Sequence, residues 1–145
     1  DQFSHGLVVD WEAANAVSDT LISEYDIRTP SKETGAGTLS GGNQQKVIVA
    51  RELSRDLRLT IAAQPTRGVD VGSIEYIHSR IVQERDAGTA VLIVSTELEE
   101  VMALSDRLLV MYRGKVVAEL DPKNVSPMEV GLYMAGSRPD GAVAK

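Results

Sequence analysis

A serine followed by two glycines is the part of this sequence best suited to chemistry. The segment reads Leu39-Ser40-Gly41-Gly42-Asn43-Gln44-Gln45-Lys46, and the residues that follow it to Leu53 give the helix an apolar face. The Ser40 hydroxyl is suited to cap a helix that begins here, while the glycines leave backbone N–H groups uncovered. Donors of this kind at the positive end of a helix suit a phosphate. The alternative interpretation is an ordinary glycine turn capped by a serine.

The elements around this segment alternate between helices and strands. Helices are predicted over residues 11–26, from Ser40 onward, over 73–86 and over 97–104. Asp10 is the predicted N-cap of the first. A last helix is predicted to begin at the Ser126–Glu129 capping box and to end at Gly136. Residues 28–38 are predicted to form a loop. Buried strands are predicted over 59–63 and 90–94, and a hairpin over 108–112 and 116–120. This alternation indicates an α/β layered fold.

Composition limits the classes of function. Among the 145 residues, 43% are hydrophobic, 15 are basic and 21 are acidic, so the net charge is −6. With no basic cluster, a nucleic-acid partner is not expected. The sequence has no cysteine and no apolar run of membrane-spanning length. These features predict a soluble, cytoplasmic protein that reaches a membrane only through a partner.

Four stretches resemble, in order and spacing, the motifs of ABC-transporter ATPases, and together they cover roughly residues 20–120. Residues 39–46 resemble the signature motif, with Asn43 where many members have glutamine. Residues 57–66 stand where the family has its Walker B strand, and 67–70 look like the D-loop. Residues 91–97 stand at the position of the switch-histidine loop.

The resemblance implies a partial P-loop (RecA-like) ABC ATPase domain that includes part of the helical signature subdomain. The run Gly-x-x-x-x-Gly-Lys-Ser/Thr that wraps phosphates is missing. Since the family places it upstream of the signature, we expect a C-terminal piece of a longer protein rather than a small complete one. We expect residues 1–56 to belong to the helical subdomain and 57–145 to the RecA-like core, with a disordered tail from about 137.

The resemblance also implies that this chain's own hydrolytic site is degenerate. Active relatives end the Walker B strand in Asp-Glu, and the matching positions here are Ala63 and Gln64. Alanine offers Mg²⁺ no oxygen, and glutamine does not accept a proton from water. The switch histidine is matched by Thr96. We therefore expect poor hydrolysis at this site and no confident catalytic residue, unless neighbouring groups substitute.

The signature, by contrast, is intact. In this family two nucleotide-binding domains dimerise head to tail, so Leu39, Ser40, Gly41, Gly42 and Asn43 are expected to contact in trans the ATP held by a partner domain. Asp70, at the D-loop position, is expected to lie across the dimer seam and couple the two sites. Its alternative role is to cap the helix that begins near Gly72.

Within the family, the signature and the segment Pro65-Thr66-Arg67-Gly68-Val69-Asp70-Val71-Gly72 resemble the second nucleotide-binding domain of bacterial importers for simple sugars or nucleosides. The resemblance implies a peripheral subunit on the cytoplasmic side of the membrane, docked on a permease and served indirectly by a substrate-binding protein. ATP and Mg²⁺ are expected in the complete assembly. The isolated chain is expected to be inactive.

Two other classes of function stay open at this point. One is a non-catalytic regulatory or interaction module of ABC-ATPase shape. The other is a DNA-repair or chromosome ATPase, although the coiled coils or zinc modules of those proteins do not appear here. Neither His5 nor His78 belongs to a ligand cluster, so no metal site is expected.

Overall fold

A computed structural model of the chain describes residues 3–5 and 8–137. Its elements, in chain order, are the strands β1 (Ser4–His5) and β2 (Val8–Val9), α1 (Trp11–Glu24), a 3₁₀ turn (Ala36–Thr38), α2 (Gly41–Leu53), β3 (Leu59–Ala63), α3 (Val71–Asp86), β4 (Ala90–Val94), α4 (Leu98–Leu104), β5 (Leu108–Tyr112), β6 (Lys115–Leu120) and α5 (Pro127–Met134). The predicted helices and strands are confirmed to within about two residues. The disorder predicted for the tail falls on residues 138–145, outside the described ranges.

Helix ends follow the local chemistry of the sequence. The Asp10 carboxylate accepts from the Ala13 N–H at 2.9 Å and begins α1. Ser126 and Glu129 form the predicted capping box ahead of α5. Gly136 follows the end of α5 at φ 76°, a conformation that glycine adopts without strain.

The chain forms two compact units. The first comprises the residues up to Ile61 together with Pro65–Leu92, and the second comprises Ala62–Gln64 together with the residues from Ile93 onward. The core of the first unit lies where α2 packs on α3, and its buried side chains include Tyr25, Val49, Leu53, Ile77 and Ile81. The core of the second consists of Val101, Leu108, Val110 and Val130.

The described strands form three pairs. β1 with β2 and β5 with β6 are antiparallel. β3 pairs with β4, and the bonds from Ala90 N to Arg58 O and from Gln64 N to Val94 O ascend both strands together, so this pair is parallel. Each of these two strands begins in the first unit and ends in the second.

The predicted burial of β3 and β4 is wrong within this chain. Ile61 is 62% exposed and Val94 is 51% exposed, and no residue of either strand is buried. The apolar runs correctly predict strands, but among the described residues nothing covers both faces of the pair. Trp11 likewise falls on the apolar stripe of α1 yet is 70% exposed.

Candidate functional site

Ser40 caps α2 and stays exposed at its start. Its Oγ accepts from the Asn43 N–H at 3.4 Å and from Asn43 Nδ2 at 2.9 Å. The first-turn N–H groups of Gly41 and Gly42 have no helical carbonyl to bind, because none precedes them in the helix. This end of α2 therefore presents a hydroxyl and backbone donors together, which suits an anion.

Asn43 holds two other groups in place. Its Oδ1 accepts from the Arg28 N–H at 2.7 Å, so the amide bridges the segment after α1 to the cap of α2. Gln44 adds a further bond from its Nε2 to the Leu39 carbonyl at 2.7 Å. The signature segment is thus fixed by its own side chains as well as by the helix.

Packing leaves little room for a side chain at Gly41 and none at Gly42. A Cβ on Gly41 would lie 3.2 Å from the Gly68 carbonyl oxygen. A Cβ on the buried Gly42 would lie 2.5 Å from Asp70 Oδ2 and closer still to Ser73 Oγ. The sequence suggested that these glycines expose backbone donors, but it did not show that α3 closes against one of them.

Asp70 caps α3, as its alternative role predicted. Its Oδ1 accepts from the Ser73 N–H at 3.0 Å and its Oδ2 from the Ser73 hydroxyl at 2.8 Å. The hydroxyl bond and then the backbone bond hold the pKa of this carboxyl below its ordinary value of 3.8. We call the region formed by Ser40–Asn43, Asp70 and Ser73 the α2–α3 seam.

The second unit brings together two of the predicted degenerate positions. Thr96 Oγ1 donates to Gln64 Oε1 over 3.4 Å, and Gln64 has a left-handed backbone with φ 51°. Ala63, the last residue of β3, precedes Gln64, and its side chain supplies no ligand atom. These three side chains include neither a carboxylate nor an imidazole, so they do not fit a Mg²⁺-assisted hydrolytic centre.

A buried lysine beside the seam was missed by sequence reasoning. Lys46 is 7% exposed, and its Nζ donates to Asp26 Oδ2 at 2.8 Å and to the Asp26 carbonyl at 2.9 Å. The ammonium also lies 4.6 Å from the centre of the Tyr76 ring on α3. The available signal was its spacing, because Lys46 lies four residues after Gly42 and therefore on the same face of α2.

The remaining expectations concern metals and membranes. His78 is half-buried on α3, and the side chain of His5 lies outside the description. Within the described ranges, no group of three or more His, Asp or Glu side chains is placed to hold a metal ion. Of the helices described, none is long and apolar enough to cross a bilayer.

Curated relatives share much of this sequence. The chain is 55% identical over 118 residues to the guanosine import ATP-binding protein NupO of Bacillus subtilis, a match that covers 81% of the chain and 23% of the relative. It is 44% identical over 128 residues to the nucleoside import ATP-binding protein NupA of Lactococcus lactis (88% and 25%) and 46% identical over 138 residues to the glucose import ATP-binding protein TsgD13 of Haloferax volcanii (94% and 25%). The chain spans about a quarter of the length of these relatives.

Solved structures share the fold. The dimeric structure of MJ0796, a bacterial ABC transporter cassette, aligns with a TM-score of 0.67 at 21% identity over 84% of this chain and 52% of that one. MJ1267, an ATP-binding cassette of an ABC transporter, aligns with a TM-score of 0.68 at 24% identity over 90% and 53%. No protein-family model matches the chain.

Proposed function

The chain belongs to the ABC-transporter ATP-binding proteins and folds as part of their ATPase cassette, and on that premise we propose that it supplies the signature motif, in trans, to ATP held by a partner nucleotide-binding domain. The observation that carries this proposal is the exposed start of α2, where the Ser40 hydroxyl and the N–H group of Gly41 stand together, with Gly42 buried directly behind them. Leu39 and Asn43 complete the segment.

These donors match the charge that develops in phosphoryl transfer. Oxygen atoms of the γ-phosphate carry negative charge that preorganised hydroxyl and amide donors stabilise. MJ0796, which shares this fold, is dimeric, and the proposal places a second nucleotide-binding domain opposite the start of α2 in the same way. In such a dimer Asp70 would lie at the interface between the two domains. The Mg²⁺ that accompanies the partner's ATP would be held by the partner's residues, and at this chain's own site Ala63 has no oxygen to offer a metal.

This chain's own site is proposed to hydrolyse ATP poorly or not at all. Gln64 orients water without accepting its proton, and Thr96 occupies the switch-histidine position without an imidazole. The two side chains contact each other at 3.4 Å. The complete subunit would therefore have one working site and one degenerate site.

The functions named for the relatives indicate the physiological setting. Guanosine, nucleosides and glucose are the imports named for them. We place this chain in an importer of nucleosides or simple sugars, at the cytoplasmic side of the membrane. Its partners would be a membrane permease and, through it, a substrate-binding protein.

Replacing the capping serine tests the role in trans. In the complete subunit, Ser40→Ala should lower ATP turnover by about a hundredfold, the size typical of a lost transition-state donor. Ser54→Ala is the matched control, because Ser54 is an exposed serine at the other end of α2. Unchanged turnover in Ser40→Ala would instead favour a non-catalytic interaction module.

Restoring the degenerate residues tests the second half of the proposal. Ala63→Asp with Gln64→Glu and Thr96→His should add hydrolysis at this site, measured as ATP cleaved per subunit in a single turnover. The unaltered subunit should cleave at only one of its two sites. Two equally active sites in the unaltered protein would show that neighbouring groups already supply the missing chemistry.

A further inference from the structure

We propose that Asn43 is a positioning residue that fixes the direction of the Ser40 hydroxyl hydrogen, rather than a direct contact of the nucleotide. The inference rests on the proposed function of Ser40 and extends it to the residue that governs this donor. It assigns Asn43 a different role from the ligand contact expected from its place in the signature segment.

The orientation of the Asn43 amide is determined by its neighbour. The Arg28 backbone N–H is only a donor, so the amide atom 2.7 Å from it is the oxygen. The NH₂ group then faces the opposite way, where its nitrogen lies 2.9 Å from Ser40 Oγ. Reversing the amide would set two donors against each other at the Arg28 contact.

This orientation decides what Ser40 offers to a ligand. A hydroxyl has one hydrogen and two lone pairs. Ser40 Oγ accepts from Asn43 Nδ2 and, over 3.4 Å, from the Asn43 N–H, so both contacts use it as an acceptor. Its hydrogen remains available for an acceptor outside the helix, such as a phosphate oxygen.

The buried Lys46 holds in place the chain segment that leads to Arg28. Asp26 has a left-handed backbone with φ 47°, and Lys46 binds both its carbonyl and its carboxylate. Two residues later, Arg28 presents its N–H to Asn43. A chain of contacts therefore runs from Lys46 through residues 26–28 to Asn43 and then to Ser40.

The test compares Asn43→Leu with the unaltered complete subunit. Leucine has nearly the same shape as asparagine but makes neither bond, so kcat should fall about five- to tenfold with the KM for ATP within about twofold. Asn124→Leu is the matched control, since it removes a bond of 2.6 Å to Asp121 in the second unit, and it should leave kcat unchanged. In a Ser40→Ala background, Asn43→Leu should cause no further loss.

Each outcome separates this inference from the proposed function. If Ser40→Ala leaves turnover intact, the role in trans fails and the inference fails with it. If Ser40→Ala is impaired but Asn43→Leu either has no effect or costs as much in both backgrounds, the inference alone is overturned.

Asn43→Asp covers the case in which the leucine variant does not fold. The carboxylate still accepts from the Arg28 N–H but now also accepts from the Ser40 hydroxyl, which turns the hydrogen inward. The loss in kcat should be several-fold larger with Ser40 present than in the Ser40→Ala background, where only the added charge acts. Equal losses in the two backgrounds would overturn the inference.

Discussion

The side chains of the α2–α3 seam are packed and hydrogen-bonded more closely than those of the Gln64–Thr96 pair. In the seam, Ser40, Asn43 and Asp70 each have a side-chain partner within 3.0 Å, and Gly42 leaves no room for a methyl group. Gln64 and Thr96 share one contact of 3.4 Å at an exposed position. The region proposed to act on a partner's ATP is therefore tightly packed and hydrogen-bonded, whereas the Gln64–Thr96 region constrains its side chains weakly.

The largest effect on the α2–α3 seam is expected from a side chain on Gly42. Gly42→Ala would place a methyl group 2.5 Å from Asp70 Oδ2 and closer to Ser73 Oγ, so either the two side chains that cap α3 must move or α2 and α3 must separate. We expect the free energy of unfolding to fall by about 1–3 kcal/mol, as overpacking typically costs. Chemical denaturation monitored by circular dichroism measures it.

Gly37→Ala is the matched control for that prediction. Its Cβ would meet nothing within 4 Å, so its stability should stay unchanged or rise by up to about 1 kcal/mol. If both alanine variants unfold at the same denaturant concentration as the unaltered protein, the seam is looser than its geometry indicates.

The seam also shows where sequence reasoning succeeds and where it ends. The caps at Ser40 and Asp70 are local, because each side chain binds a group three residues away, and the sequence predicts both. The closure of Gly42 on Ser73 joins residues 31 positions apart, so no local pattern contains it. The spacing of Lys46 from Gly42 predicts the helix face on which Lys46 lies, but not its partners, because Asp26 and Tyr76 are distant in the sequence.

For β3 and β4 the sequence predicted more burial than the structure shows. The apolar runs of β3 and β4 predict strands correctly, but they predicted cover that this chain does not supply. The apolar residues of a strand are selected by all the parts of a protein that pack on it. This chain aligns with only about half of each solved cassette. We attribute the exposed faces to that missing half. The contact of Gln64 with Thr96 depends on the pairing of β3 with β4, which the motif positions alone did not specify.

A smaller effect should appear as a dependence of stability on pH. Asp70 has a lowered pKa because the Ser73 hydroxyl, and then the Ser73 N–H, donate to it. In the unfolded chain its pKa returns toward 3.8, so between the two values the unfolded state binds more protons. The stabilisation is therefore complete above pH 3.8 and is lost as the pH falls through the lower folded value.

Asp70→Asn isolates that contribution. The difference in unfolding free energy between the unaltered protein and this variant should be constant above about pH 5 and shrink in more acidic solution. Ser73→Ala, which removes the strongest donor, should flatten the acid dependence of the unaltered protein. A difference that stays constant to pH 2 would show that the Asp70 carboxylate is not stabilised in its charged form.

The smallest effect is expected at the Gln64–Thr96 pair and completes the comparison. Thr96→Val removes a long, exposed hydroxyl contact, so the free energy of unfolding should change by less than about 0.5 kcal/mol.

The matched control is the same substitution at Thr89, which is only 8% exposed. Its hydroxyl donates to the Leu57 carbonyl at 3.1 Å. Thr89→Val should cost about 1–3 kcal/mol, because it leaves that carbonyl without its partner. If Thr96→Val costs as much as Thr89→Val, the degenerate region is as tightly determined as the seam, and the contrast between them does not hold.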